Sequence, residues 1–266
     1  MKIETFDLWS QIPGTASETP KITAYVPDNK TSNAAIAILP GGGYTNRAEH
    51  EGKGYAEFFC KNGITAFVID YRVSPHQFPL PLLDSRRGIK YIRYHAEKYG
   101  IDKSKIAIMG SSAGGHLAAL TSTYFKEVEC SSNDEIDKED FIPNAQILCY
   151  PVIKLLGKGI SHLGSGKSLL GDLHAEMGEE LSPDLIAHEK TPKAFIWHTA
   201  EDSVVNVINS LDYAKKLKTL NISTEMHIFP DGSHGLGLAT KEQNKVSNHV
   251  SQWSSLLLNW IRYIGF

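Results

Sequence analysis

The stretch IAIMGSSAGGHLAAL, residues 106–120, decides how this chain is read. Ile106 to Met109 is a short apolar run without in–out alternation, the pattern of a strand buried on both faces. Gly110-Ser111-Ser112-Ala113-Gly114-Gly115 follows, and then an apolar helical pattern from His116 to Leu120. This is G-x-S-x-G in a strand–turn–helix setting. A turn that tight lifts the central hydroxyl above the sheet, and it needs small residues two positions to either side because a Cβ there would collide. Ser112 is centred between Gly110 and Gly114; Ser111 is the rival nucleophile. The helix opening at Ala113 aims free N–H groups at the same point, which favours a developing negative charge. An anion cradle or a plain small-residue turn would use the same residue types.

Outward from this turn the same alternation repeats. Ala34–Leu39, Ile64–Tyr71, Gln146–Tyr150, Ala194–His198 and Thr224–Phe229 are short runs bounded by turn residues. Helical stretches at about 51–61 and 81–99 separate some of them, and the pattern predicts a mostly parallel central sheet with helices on both faces. Lys2–Leu8 and Ile22–Val26 suit an antiparallel pair at the sheet edge. Trp253–Tyr263 has the spacing of a closing amphipathic helix. Its apolar face can be buried within the domain or against a second subunit, so a homo-oligomer stays open. Lys126–Asp140 carries seven acidic residues against two lysines and reads as a solvated loop. Residues 155–192 are Gly- and His-rich, with weak helical pattern at 176–180 and 184–189. The segment is too long for a plain connection and reads as a lid or substrate-binding insertion in a single domain spanning 1–266.

The loops after the other strands carry the remaining chemistry. Pro40-Gly41-Gly42-Gly43-Tyr44 ends an early strand, and glycine N–H groups there can point at an oxyanion. No G-K-[ST] or G-x-G-x-x-G accompanies it, which speaks against a phosphate loop. Asp202 lies just past the strand ending at His198, and His234 just past the strand ending at Phe229. The order Ser112, Asp202, His234 is the order a serine triad takes in this architecture. Glu201 is the alternative acid and His198 the alternative base. Among other polar residues, His116 reads as a satisfied core histidine, and Asp84 as a cap or ion-pair partner of Arg86 and Arg87. Tyr44, Asn46, His50 and Glu51 surround the glycine loop as candidate substrate contacts.

The segments ILPGGGY, HEGKGYAEFFCKNGITAFVIDYRV, PLLDSRRGIKYIR, IMGSSAGGHLA, IWHTAEDSVV and FPDGSHGLGLA together resemble α/β-hydrolase esterases. Within these, the chain is similar to the acetylxylan-esterase and hormone-sensitive-lipase-like carboxylesterases, from about residue 34 onward. The resemblance implies the α/β-hydrolase fold, Ser112 as nucleophile, His234 as base and Asp202 as the acid that orients it. It also implies an oxyanion hole built from the N–H groups of Gly42, Gly43 and Ala113. Many hormone-sensitive-lipase relatives have His before the three glycines; Pro40 stands there in this chain, which is closer to the sugar-esterase branch. Expected substrates are short acyl esters, acetyl foremost, on sugars or similar polar alcohols. An acyltransferase with the same triad and a non-catalytic binding protein on the same scaffold are the alternatives.

Composition narrows the field further. Lys and Arg number 27 against 30 Asp and Glu, a net charge of −3, which lacks the basic surface that nucleic acid requires. No apolar run reaches the ~20 residues of a membrane span, so no membrane partner is expected. The N-terminus lacks a basic stretch leading into an apolar one, so no signal peptide is expected. Cys60, Cys130 and Cys149 are too far apart for a disulfide framework or a zinc site and suit a reducing, cytoplasmic setting. The expected partner is a small-molecule ester, with no metal and no organic cofactor. His162, His174 and His188 lack the spacing of a metal site.

Overall fold

A computed structural model describes residues 1–14, 19–128, 134–157, 159–240 and 247–266. Cys130 and residues 129–133 of the acidic segment lie outside the described residues. β1 (Lys2–Asp7), β2 (Lys21–Val26), β3 (Ala35–Leu39), β4 (Thr65–Asp70), β5 (Ile106–Ser111), β6 (Ala145–Cys149), β7 (Lys193–Thr199) and β8 (Thr224–Phe229) form one sheet. Its order is β1-β2-β4-β3-β5-β6-β7-β8. β1 and β2 pair antiparallel at one edge, and β2 meets β4 antiparallel; all other neighbours are parallel. The C-terminal ends of β3 and β5–β8 therefore share one rim of the sheet, the rim where open α/β sheets bind their ligands.

The runs without alternation are the strands covered on both faces: every residue of β3, β5 and β6 is buried. α2 (Leu80–Tyr94), α3 (Ser112–Thr123) and α7 (Ile208–Thr219) pack on the face carrying Ala35, Ala37 and Ile108. α1 (Glu49–Lys61) and α8 (Trp253–Tyr263) cover the face carrying Ile36, Ile38 and Met109. In α8, Trp253, Leu257, Trp260 and Ile261 are buried, and Trp253 stacks on Trp197 of β7 at 4.8 Å. The apolar face of the last helix is thus used inside the domain.

Between β6 and β7 the helices are α4 (Leu163–Leu170), α5 (His174–Met177) and α6 (Pro183–Ile186). The longest of these falls where the sequence reading expected none. Gly164 and Gly166 depress helix propensity there. Gly166 is required by packing: a Cβ on it would stand 2.3 Å from His174 Nε2.

Charged side chains depart most from the expected roles. Asp84 pairs with Arg72, not with Arg86 or Arg87. Arg72 Nε and Nη2 donate to the two carboxylate oxygens at 2.8 Å each, and the Arg72 backbone N–H adds a bond of 2.9 Å. Trp9 Nε1 donates to the same carboxylate at 2.7 Å, and Arg72 Nη1 reaches Pro13 O at 2.6 Å. Part of the described acidic segment is likewise docked, although Glu127, Glu135 and Asp140 stay exposed as expected. Arg87 Nη1 binds Asp134 at 2.7 Å and Asp137 at 2.8 Å, while its Nε holds Leu8 O at 3.0 Å. Arg72 and Asp84 are both fully buried. Removing one member leaves an uncompensated charge in a low-dielectric interior. Asp84→Ala should therefore lower unfolding stability by about 3–5 kcal/mol in a urea titration. A loss below about 1 kcal/mol would show that Arg72 finds other compensation.

Candidate active site

The turn after β5 holds its shape through missing side chains. A Cβ on Gly110 would sit 2.1 Å from Gly114 O, and one on Gly114 would sit 2.2 Å from Leu39 O. With those positions bare, Ser112 takes φ 52°, and its carbonyl accepts from Val152 N–H at 3.0 Å. Its hydroxyl donates to His234 Nε2 at 2.8 Å, and His234 Nδ1 donates to Asp202 Oδ2 at 2.6 Å. Three loops that are remote in sequence thus form one hydrogen-bonded chain. Ser111 is fully buried, with its Oγ 3.0 Å from Tyr55 OH, and Glu201 is exposed; neither rival joins the chain.

Asp202 is held from four directions. Its Oδ1 accepts from the backbone N–H groups of Val204 and Val205, each at 2.9 Å. Its Oδ2 accepts from His234 and lies 3.3 Å from His198 Nε2. Burial works against the charge, but the bonds from His198 and His234 outweigh it and hold the carboxyl well below the ordinary carboxylate range. His198 is therefore a buried neighbour of the acid rather than an alternative base. Its Nε2 donates to Val205 O at 2.9 Å and its Nδ1 accepts from Ser210 Oγ at 2.8 Å. Its place on β7, within one turn of Asp202, was the available sign.

The glycine loop lies beside Ser112. Gly42 has φ 135°, and its carbonyl accepts from Thr45 N–H at 3.0 Å and Asn46 N–H at 3.2 Å. Among the described residues, no protein acceptor takes the N–H of Gly42 or Gly43. Ala113 is in the first turn of α3, where N–H groups have no partner within the helix.

The candidate substrate contacts divide. Asn46 is exposed, with Oδ1 close against Gly42, and His50 is half-buried with Nε2 3.0 Å from Gly235 O. Tyr44 and Glu51 do not face the opening. Tyr44 is fully buried, and its hydroxyl donates to His116 Nδ1 at 2.7 Å. Glu51 is 3% exposed, and its carboxylate accepts from Gly41 N–H at 2.8 Å and Tyr150 O–H at 2.6 Å. Proximity in sequence to the glycines points both at the substrate; the helical turn beginning at Glu49 carries Glu51 inward instead. Tyr150, whose ring meets the His234 ring edge-on at 5.1 Å, and His162, which caps α4, had no local signal. Burial and the charge of His234 hold the His162 ring below the usual histidine range, while Asp202 opposes this. The insertion therefore reaches the neighbourhood of the His234–Asp202 pair. Burial pushes the Cys149 thiol up to about 12 and the Cys60 thiol to about 11, so neither is a nucleophile. Among the described residues, no cluster of three or more His, Cys, Asp or Glu could hold a metal ion, and no helix is long and apolar enough to cross a membrane.

The mostly parallel eight-stranded sheet with helices on both faces defines the α/β-hydrolase class. Residues 22–217 match the BD-FAE family model, and the chain belongs to that family. The crystal structure of acetyl ester-xyloside bifunctional hydrolase from Caldicellulosiruptor lactoaceticus superposes with a TM-score of 0.90 at 39% identity, covering 99% of this chain and 97% of that one. Endo-1,4-beta-xylanase B of Butyrivibrio fibrisolvens is 37% identical over 84% of this chain and 35% of its own length. Acetylxylan esterase of Xylanibacter ruminicola is 28% identical over 88% of this chain and 47% of its own length. The chain thus spans between a third and a half of these two curated relatives.

His116 tests how the site's floor depends on pH. It is fully buried, with Nε2 donating to Leu181 O at 2.8 Å, and burial lowers its pKa to about 4 against the pull of that carbonyl. The unfolded chain protonates near ~6.5, so between that value and about 4 the unfolded state binds the extra proton. The stability contribution is present above ~6.5 and is lost as pH falls toward about 4, by about 3 kcal/mol in total. Unfolding free energy measured across this window should fall less steeply in His116→Gln than in the parent. Equal slopes would place the acid sensitivity elsewhere.

Proposed function

We propose that this chain is a serine carboxylesterase that removes short acyl groups, acetyl foremost, from sugars such as acetylated xylose. The observation that carries the reading is the continuous Ser112–His234–Asp202 chain, with bonds of 2.8 and 2.6 Å, beside N–H groups left without protein acceptors. In this reading His234 Nε2 takes the Ser112 proton as Oγ attacks the ester carbonyl. Gly42, Gly43 and Ala113 N–H groups receive the negative oxygen, and their preorganisation is worth the most where charge develops. Asp202 keeps the proton of His234 on Nδ1 and steadies the imidazolium. The alcohol leaves with the proton from His234, and water then releases the acid by the same route. In the same reading Asn46 and His50 serve as hydrogen-bonding partners of the sugar hydroxyls. The acetyl and xylose preference draws support from the similarity to an acetylxylan esterase and an acetyl ester-xyloside hydrolase, and from the glycine- and histidine-rich composition of residues 155–192. Two free, buried thiols at Cys60 and Cys149 suit a reducing, cytoplasmic location.

Ser112→Ala should reduce kcat by roughly 10⁴-fold or more with the fold intact, and Ser111→Ala far less. Asp202→Asn should cost roughly 10³- to 10⁴-fold by favouring the wrong tautomer of His234. Preserved turnover in Ser112→Ala would remove the nucleophile assignment.

Acyl length is tested with p-nitrophenyl esters of two to twelve carbons, alongside acetylated xylose with and without an acceptor alcohol. Each buried methylene is worth ~0.8 kcal/mol, so a long pocket would give kcat/KM rising with chain length. A maximum from acetyl to butyryl is expected, with hydrolysis rather than transfer. A maximum at eight carbons or more would overturn the short-acyl reading. Failure on every acetylated sugar would overturn the carbohydrate part alone.

A further inference from the structure

Behind the glycine loop lies a buried polar chain that the triad does not use. Glu51 Oε2 accepts from the N–H of Gly41, which leads into the loop's free N–H groups at Gly42 and Gly43. Glu51 Oε1 accepts from Tyr150 O–H, and the Tyr150 oxygen accepts in turn from Gly237 N–H at 3.0 Å. Gly237 is three residues past His234 on the same loop. Tyr55 OH adds a bond of 3.0 Å to Ser111 Oγ, next to Ser112, and lies 3.3 Å from Tyr150 OH. The fit is tight: a Cβ on Gly41 would stand 2.5 Å from Glu51 Oε2 and 2.8 Å from Ser111 O. The Tyr150 phenol is pushed far above its ordinary range by burial and the neighbouring carboxylate, so its proton stays on the oxygen and is donated to Glu51.

We propose that Glu51 and Tyr150 form a buried brace that locks the oxyanion loop to the histidine loop, so that the N–H donors and the base act in one fixed register. Both are positioning residues, and the proposal rests on the esterase reading above. A carboxylate is suited to this task because it is acceptor-only, with one oxygen for each loop. A glutamine of the same shape can offer an acceptor to Gly41, but its NH₂ then faces the Tyr150 hydroxyl, so the charge-assisted bond from Tyr150 O–H that joins the two loops is lost. Loosening such a register costs transition-state stabilisation while leaving the ground-state contacts of a small ester in place.

The experiment compares Glu51→Gln, Tyr150→Phe and the double variant, each assayed well below its own melting temperature. Each single variant should lose roughly 10- to 100-fold in kcat on p-nitrophenyl acetate, with KM changed by less than about threefold. Affinity for a trifluoromethyl ketone, which forms a tetrahedral adduct with Ser112, should fall in proportion to kcat/KM. The double variant should be no worse than the poorer single variant by more than about twofold, since either change breaks the same chain. Unchanged kcat, losses confined to KM, or losses that multiply in the double variant would overturn the brace. If Glu51→Gln fails to fold, Tyr150→Phe, which removes one oxygen atom, decides the kinetics. In the parent protein, the amides of Gly41 and Gly237 should share one hydrogen-exchange protection; clearly different protection would overturn the proposal without any variant. An inactive parent protein would sink the esterase reading, and the exchange measurement would then judge the brace by itself.

Discussion

The site depends on one close backbone approach, between the end of β3 and the first turn of α3. Gly114 lies so near Leu39 O and Pro40 O that a Cβ would stand 2.2 and 2.5 Å from them. That approach forces the chain into a sharp reversal at Ser112, whose φ of 52° is an outlier for a residue with a side chain. Strain of this kind costs of order 1–3 kcal/mol and persists only where the surroundings over-determine it. Here the surroundings are α3, buried along its whole length, and the bond from Val152 N–H to the Ser112 carbonyl. The same approach serves a second purpose. Because β3 runs directly into Pro40 and the glycines, bringing its end against α3 also brings the glycine loop against the serine. A Cβ on Gly41 would be 3.1 Å from Ser112 Cβ. The Ser112 hydroxyl and the N–H groups of the glycine loop are therefore brought together by a single packing event rather than by two separate devices.

This explains why the centre of the site was readable in the sequence. Buried strands announce themselves as short apolar runs, and glycines mark the turns that follow them. Ser112, Asp202 and His234 each sit within a few residues of such a strand end, so local punctuation was enough to place all three on one rim. The edge pair β1–β2 and the closing helix α8 were legible for the same reason: their periodicity is a local property.

Buried charge was not legible, because its partners are distant in the chain. Asp84 was assigned to Arg86 and Arg87, which stand within the same helical turn, yet its carboxylate belongs to Arg72 on the strand side. Glu51 was assigned to the substrate because it follows the glycines, yet its partners are Gly41 and Tyr150, the latter 99 positions away. The acidic segment looked solvated by composition, while Arg87 draws Asp134 and Asp137 onto α2. In each case a charged residue near an apolar pattern is ambiguous until the fold brings its counter-charge or donor to it. Desolvation then makes the pairing obligatory. The helix at Leu163–Leu170 was hidden differently. Its glycines weaken propensity, and their reason for being there, close contact with His174, is tertiary.

Asp202 shows how position separates two histidines that touch the same carboxylate. His198 is sealed in the core, its Nε2–H shared between Val205 O and Asp202 and its Nδ1 occupied by Ser210 O–H. Both nitrogens are committed to partners inside the core. His234 commits one nitrogen to Asp202 and turns the other toward Ser112 at the partly open rim. The carboxylate therefore gains a second donor from His198, a ring that is itself fully buried. That donor, with the N–H groups of Val204 and Val205, leaves Asp202 little freedom to rotate away from His234. The orientation of the His234 imidazole is in this way fixed from behind, through the carboxylate it binds.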